Sequence, residues 1–96
     1  MAQEDAKAID RRLARIEGQV RGIRRLTEEG AYCCDILNQI LAVNSALKQV
    51  AAVVASNHIK HCIAGHAAGE GHEVARAMTQ DQLMAELEEV MSRLMK

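Results

Sequence analysis

A histidine and a cysteine stand four residues apart in the stretch NHIKHC, residues 57–62. On an α-helix, residues i and i+4 lie on one face a turn apart, so the side chains of His58 and Cys62 can reach the same ion. An imidazole and a thiolate are ligands that bind both Cu(I) and zinc. Because two protein ligands rarely suffice for a metal ion, the spacing predicts a site that needs a further donor.

Cys33, in the motif YCCD, is the candidate third ligand. If one straight helix carries both Cys33 and His58, they lie ~37 Å apart and cannot bind one ion. An antiparallel helix from a second copy of the chain would bring Cys33 of one subunit beside His58 and Cys62 of the other, with two such sites per dimer. Three soft ligands suit Cu(I), whereas structural zinc usually has four. The alternative is that both cysteines are buried packing residues and His58 is an ordinary core or surface histidine.

The first predicted element of the chain is a helix rich in basic residues. Apolar residues recur every three or four positions from Ile9 to Ile23, which predicts a helix over about residues 5–29. Gly30 is placed to end it. Gly18 and Gly22 lie one turn apart inside it, and their expected benefit is the close approach of another helix.

The second and third helices follow from the same periodicity. Apolar residues from Ile36 to Val54 step by three and four, and the rhythm continues to Cys62, which predicts one helix over about residues 32–63. Residues 64–72 contain three glycines and predict a loop. Thr79 is a plausible N-cap for a last helix over about residues 80–95.

These elements and the composition predict an all-α protein with one domain over residues 1–96. The chain lacks Pro, Trp and Phe and has one Tyr, a composition that suits helices better than sheets. A chain of 96 residues buries a modest core, so we expect oligomerisation. No nucleophile–base–orienter set or phosphate-binding loop is present, so an enzyme is not expected.

The sequence also predicts a cytoplasmic protein without a membrane partner. No run of 18 apolar residues occurs, and the polar start MAQEDAKAIDRR does not resemble a signal peptide. The three cysteines are therefore expected to be thiols in a reducing compartment.

Charge is distributed unevenly along the chain although the net charge is only −1. Basic residues predominate over residues 7–25, and acidic residues predominate over residues 70–96. A basic helix is a possible nucleic-acid surface. The other interpretation is a solvated helix face.

Three stretches in order, RRLARIEGQVRGIRRL, YCCDILNQILAVNSAL and NHIKHC, resemble the copper-sensitive operon repressor (CsoR) family. That family includes sensors of copper, of nickel or cobalt, of formaldehyde and of persulfide. The resemblance is strong over about residues 9–63 and looser over the last helix. It implies a three-helix protomer that forms an antiparallel four-helix-bundle dimer and then a tetramer, a dimer of dimers. It also implies a transcriptional repressor that releases operator DNA on sensing its inducer.

The resemblance assigns roles to residues that spacing alone leaves open. In copper members a Cys of one subunit and a His and a Cys of the other hold Cu(I), which here implies Cys33, His58 and Cys62. A Tyr and a Glu that link the site to the last helix correspond to Tyr32 and Glu86. The loop before that helix is several residues longer here than is usual in the family.

The resemblance also implies a DNA surface on the first helix. The basic residue implicated in DNA binding corresponds to Arg12, and three further arginines lie near it. An arginine that the family often carries on the second helix corresponds to Gln49, so that role shifts to Lys48. The implied DNA-contacting residues are Arg11, Arg12, Arg15, Arg21 and Lys48.

The residues present favour copper among the inducers of the family. Nickel and cobalt sensors resemble each other in using an N-terminal His and a His at the last ligand position. This chain has no His before His58, and Cys62 occupies the last ligand position. Formaldehyde sensors use an N-terminal Pro, and this chain has none. Persulfide sensors keep both Cys but lack the His. The prediction is a Cu(I)-responsive repressor; the alternatives are a reactive-sulfur sensor that links Cys33 to Cys62, a sensor of another metal, and a copper-storage protein without a DNA role.

Cys34 and three histidines have open roles. Cys34 either packs, about 100° around the helix from Cys33, or acts as a resolving thiol in redox chemistry. His61 is expected to be a surface residue, and a role at the site is the alternative. His66 and His72, in the Gly-rich loop, are expected to be solvated.

Overall fold

Three long helices organise the chain, which is described by a computed structural model covering Met1 and residues 3–96. Helix α1 spans Gln3–Glu28 and helix α2 spans Cys33–His58. Two short elements follow, a π-helical segment at Ile59–Ala64 and a 3-10 turn at His66–Ala68. Helix α3 spans Glu73–Arg76, and helix α4 spans Gln80–Leu94. The described residues contain no strand, so the all-α prediction is confirmed.

The ends of the long helices follow from local chemistry. Gly30 has φ 69°, a left-handed conformation that favours glycine, and the Ala31 N–H donates to the Leu26 carbonyl over 2.9 Å. This closes α1 and turns the chain into α2. At the start of α4 the Thr79 hydroxyl accepts from the Gln82 N–H, and the Gln82 side chain accepts from the Thr79 N–H. Both predicted helix boundaries are confirmed.

Two small apolar clusters hold the helices together. Ile16 of α1 packs with Val43 and Val50 of α2, and these residues are buried. The second cluster joins Ile63 of the π-helical segment to Leu83 of α4, which is only 1% exposed. The partly buried residues on the second cluster include a candidate ligand; they are Cys62, Met78 and Leu87. The end of α2 and the start of α4 are therefore fixed to each other at the predicted metal site.

The protomer leaves much of its apolar surface exposed. Its accessible surface is 7148 Å², whereas a compact monomer of this mass exposes about 5,400 Å². Its radius of gyration is 17.3 Å, against about 12.5 Å for a compact chain of this length. The exposed large apolar residues include several of the predicted α2 stripe, such as Ile40, Leu47 and Val54. A single chain thus presents a long apolar face that has no cover within the protomer.

The continuous helical stretch Cys33–Ala64, which joins α2 to the π-helical segment, is long and apolar enough to cross a membrane by length and composition. Only 11% of its most apolar window is buried within the protomer. The same exposed stripe is what a soluble helix needs to pack lengthwise against another chain.

Two details differ from the sequence prediction. No other helix approaches Gly22 within this chain, since a Cβ built there meets nothing within 4 Å, and at Gly18 it meets only the Arg21 side chain at 3.7 Å. The predicted loop over residues 64–72 contains the 3-10 turn at His66–Ala68, and the short helix α3 follows it before α4.

Candidate metal centre and basic surface

His58 and Cys62 come together at the junction between α2 and the π-helical segment. His58 is the last residue of α2 and Cys62 lies in the π-helical segment, and both are partly exposed. Both side chains line the same two clefts, of about 220 and 300 Å³. A π-helical turn inside a longer helix is frequent at functional sites. The structure therefore brings together the two ligands that the i, i+4 spacing predicted.

Cys33 and Tyr32 lie at the opposite end of the same helix. Cys33 is the first and His58 the last of the 26 residues of α2, and Tyr32 is 71% exposed. Cys33 is exposed as well. Within the described part of the chain, no three His, Cys, Asp or Glu side chains are grouped closely enough to hold a metal ion. One protomer thus supplies two of the predicted ligands at one end of α2 and the third at the other.

Glu86 projects from α4 toward the His58 end. It lines the 220 Å³ cleft together with His58 and Cys62. It also lines a largely apolar cleft of about 410 Å³ between α2 and α4, which His58 shares. A carboxylate beside a ligating imidazole can fix the orientation of the ring. Glu86 thus shares a cleft with His58 and Cys62, and its role beside the predicted ligands stays a prediction.

Gly71 packs closely against Cys62, a contact that the sequence does not predict. Its φ of 100° is a conformation that residues with a Cβ rarely adopt. A Cβ built there would lie 2.8 Å from Cys62 Cα and 3.2 Å from Cys62 Sγ. The sequence shows only that residues 64–72 are rich in glycine. It does not indicate which residue elsewhere in the chain Gly71 contacts. Gly71 holds the loop directly against a predicted ligand.

The loop histidines are more constrained than predicted. The His66 ring lies 2.5 Å from the Met78 carbonyl oxygen and is partly buried, so it is not simply solvated. His72 is exposed, but its Nδ1 accepts from the Val74 N–H over 3.1 Å and caps α3. His72 lines both clefts with His58 and Cys62, and His61 lines the larger one. The loop before α4 therefore forms a wall of the candidate site.

Replacing Gly71 by alanine should destabilise the protein more than the same change at Gly69. Both positions have positive φ, but a Cβ at Gly69 meets nothing within 4 Å, whereas at Gly71 it meets the backbone of Cys62. The left-handed strain of about 1–2 kcal/mol should be common to both variants, and the displacement of the loop should be specific to Gly71→Ala. We expect an additional loss of about 1–3 kcal/mol, measured by urea unfolding. Equal losses in the two variants would show that the loop does not press on Cys62.

Cys34 is exposed, and so is its neighbour Cys33. The Cys34 side chain does not belong to either apolar cluster of the protomer. The packing interpretation therefore finds no support within a single chain, and the redox interpretation stays a prediction.

A basic surface lies on α1, at residues that do not line the clefts of His58 and Cys62. Arg11, Arg12 and Arg15 line a cleft of about 490 Å³ together with Ala8. The Arg12 guanidinium donates to the Gln49 side-chain oxygen over 3.2 Å, which joins α1 to α2 in an exposed position. Arg21 and Lys48 are also exposed. The structure thus brings three of the five predicted DNA-contacting residues together, and Gln49 contacts one of them, Arg12.

The sequence matches a family described as metal-sensitive transcriptional repressor over residues 5–95. Among curated proteins, the copper-sensing transcriptional repressor RicR of Mycobacterium tuberculosis is 44% identical over 86 residues, which span 90% of this chain and 83% of that protein.

The structure is similar to two solved repressors. The copper-sensing repressor CsoR of Geobacillus thermodenitrificans, with Cu(I), aligns with a TM-score of 0.77 and 36% identity over 100% of this chain and 92% of that one. The nickel-responsive transcriptional regulator InrS aligns with a TM-score of 0.70 and 34% identity over 98% and 97% of the two chains. The similarity therefore covers whole chains whose inducers differ.

Proposed function

The chain belongs to the family of metal-sensitive transcriptional repressors, and from this we propose that it is a Cu(I)-responsive repressor of the cytoplasm. Repressors of this kind are not enzymes. In the proposal, the apo protein binds operator DNA and releases it when Cu(I) occupies a site between two subunits. The observation that carries the proposal is that His58 and Cys62 share a cleft where α2 meets the π-helical segment, whereas the exposed Cys33 lies at the opposite end of α2.

The ligand arrangement supports a site shared between antiparallel subunits. Two α2 helices packed antiparallel would bring Cys33 and Tyr32 of the partner subunit to the cleft that His58, Cys62 and Glu86 line. Cu(I), when bound, supplies a soft, low-coordinate centre that joins the two chains. The donor set fits, because two thiols and an imidazole are soft ligands and His58 and Cys62 already share a cleft. Cys33 and Cys62 would bind as thiolates.

The exposed apolar face supports the proposed dimer, and pairing of two dimers into a tetramer is the further step implied by the family resemblance. The protomer exposes roughly 1,700 Å² more surface than a compact monomer of its mass. That excess is enough for a stable subunit interface, since a standard interface takes about 800 Å² from each partner. The apolar stripe of α2, including Ile40 and Leu47, is the surface that such an interface would cover.

The basic surface of α1 supports DNA binding. Arg11, Arg12 and Arg15 present guanidinium groups at one exposed cleft, and such groups bind phosphate oxygens in a bidentate geometry. Contacts of this kind position a protein on the DNA backbone and make its affinity strongly dependent on salt. Arg21 and Lys48 extend the surface in the proposal.

The function is tested by titrating the reduced protein with Cu(I) in the absence of oxygen, while fluorescence anisotropy follows its binding to DNA from upstream of its own gene. We expect release that is complete at one Cu(I) per subunit. The matched control is Ni(II), for which the proposed ligand set lacks the harder donors. DNA binding that persists in excess Cu(I) would contradict the proposal.

A reactive-sulfur sensor is the second candidate, favoured by one observation. Cys33 and Cys34 are both exposed thiols, and such thiols are accessible to oxidants. This candidate predicts a link between Cys33 and Cys62 of two chains after persulfide treatment, which a reductant reverses. His58 lines the cleft beside Cys62, which favours copper. A copper-storage role would instead show no binding to any promoter fragment at low salt.

A further inference from the structure

We infer that the hydrogen bond between Asn57 and Asp5 is the link within each chain through which the metal centre sets the position of the DNA-contacting helix α1. This inference rests on the proposed function and names the residues that couple its two sites. Coupling between two sites requires an element whose position both sites influence.

The contact is short, partly buried and distant in sequence. The Asn57 side-chain N–H donates to the Asp5 carboxylate over 2.5 Å, across 52 positions of the chain. Asn57 is 5% exposed and is the one buried polar residue among those the structure describes. A charge-assisted hydrogen bond in a site of low exposure is stronger than a neutral one in water, so the two side chains should move together.

The two residues lie beside the two functional surfaces. Asn57 immediately precedes His58, at the junction of α2 and the π-helical segment. Asn57 bonds to Asp5 of α1 and also lines the larger of the two clefts together with His58 and Cys62. Asp5 lies in the first turn of α1, ~9–15 Å along the axis from Arg11 and Arg15.

The other contacts between α1 and α2 are less suited to this role. The packing of Ile16 against Val43 and Val50 is apolar and therefore not directional. The hydrogen bond from Arg12 to Gln49 is exposed to water and has a length of 3.2 Å. A reorientation of His58 to share a ligand set with Cys33 of the partner subunit would move the turn that carries Asn57, and the bond to Asp5 would shift the start of α1 with it.

The test compares Asp5→Ala with a matched control, Glu4→Ala, and a rescue variant, Asp5→Asn. Glu4 is the adjacent acidic residue of the same helical turn and is exposed, so its replacement removes the same charge without the contact. Asp5→Asn removes the charge but keeps a carbonyl oxygen that can accept from Asn57. For each protein we measure the Cu(I) affinity by competition with a chelator, and the DNA affinity with and without Cu(I).

In the wild type, Cu(I) should weaken DNA binding on the order of 10–100-fold. In Asp5→Ala, this ratio of the DNA affinity without Cu(I) to that with Cu(I) should fall to about 3-fold or less. The Cu(I) affinity should stay close to that of the wild type. Glu4→Ala and Asp5→Asn should keep most of the ratio. A full ratio in Asp5→Ala, or an equal loss in Glu4→Ala, would overturn the inference. Absence of Cu(I)-dependent release in the wild type would refute the proposed function instead, and the inference with it.

A second readout requires no metal. Hydrogen exchange of the first-turn amides of α1 should accelerate in apo Asp5→Ala relative to apo Glu4→Ala, because only the former loses its connection to the buried Asn57. Equal exchange rates in the two variants would overturn the inference even if copper sensing is correct.

Discussion

Cys33→Ala is expected to lose the Cu(I) response of DNA binding completely while the apo variant still binds DNA. The variant removes one of three proposed ligands, and changes to groups that merely support a ligand already cost about 10–100-fold in metal affinity. We therefore expect the Cu(I) affinity to fall by more than about 100-fold. Cys33 is exposed and lies outside both apolar clusters, so its replacement should leave the fold intact.

Cys34→Ala is the matched control for this prediction. It removes a neighbouring exposed thiol from the same helical turn, and the copper proposal gives that thiol no ligand role. Its Cu(I) affinity and its DNA release should resemble those of the wild type. Loss of DNA binding by apo Cys33→Ala would contradict the account, and an equal loss of the response in Cys34→Ala would favour sulfur chemistry between the two thiols.

Replacing Arg11, Arg12 and Arg15 together by alanine is expected to weaken DNA binding about 100-fold at physiological salt. Each lost phosphate contact should lower the slope of log affinity against log salt by about 0.9, so the triple variant should lose about 2–3 units of slope. The three side chains line one exposed cleft, so they should act on the same stretch of DNA backbone. Anisotropy titrations across a salt series measure both quantities.

Arg93→Ala controls for the general effect of removing positive charge. Arg93 lies in the last turn of α4, within the acidic end of the chain and outside the arginine cleft. Arg93→Ala should change the slope of log DNA affinity against log salt little. Cu(I) binding should persist in this variant and in the triple variant. An unchanged slope in the triple variant would place the DNA surface elsewhere.

The sequence predicted the features that depend on local chemistry. The apolar periodicity of α1 and α2, the positive φ of Gly30 and the capping box at Thr79 each arise within a few residues of chain. The pairing of His58 with Cys62 is of the same kind, because their spacing alone places them on one face of a helix.

The features that the sequence did not reveal depend on contacts between distant segments. No characteristic amino-acid composition marks a π-helical turn such as the one at Ile59–Ala64. The contact of Gly71 with Cys62 and the bond from Asn57 to Asp5 leave no periodic pattern in the sequence. Periodicity also marked Leu47 and Val54 as apolar without showing that the protomer leaves them exposed. In the proposal, another chain covers these residues and completes the candidate site, which one protomer leaves incomplete.

Complementation between two defective chains is the most direct test of the claim that the metal site is shared between subunits. One chain carries Cys33→Ala and the other carries His58→Ala with Cys62→Ala, and two affinity tags isolate the mixed dimer after co-expression. The account predicts one Cu(I) per mixed dimer at wild-type affinity, with none at that affinity in either parent. A mixed dimer that binds Cu(I) no better than its parents would contradict the shared site.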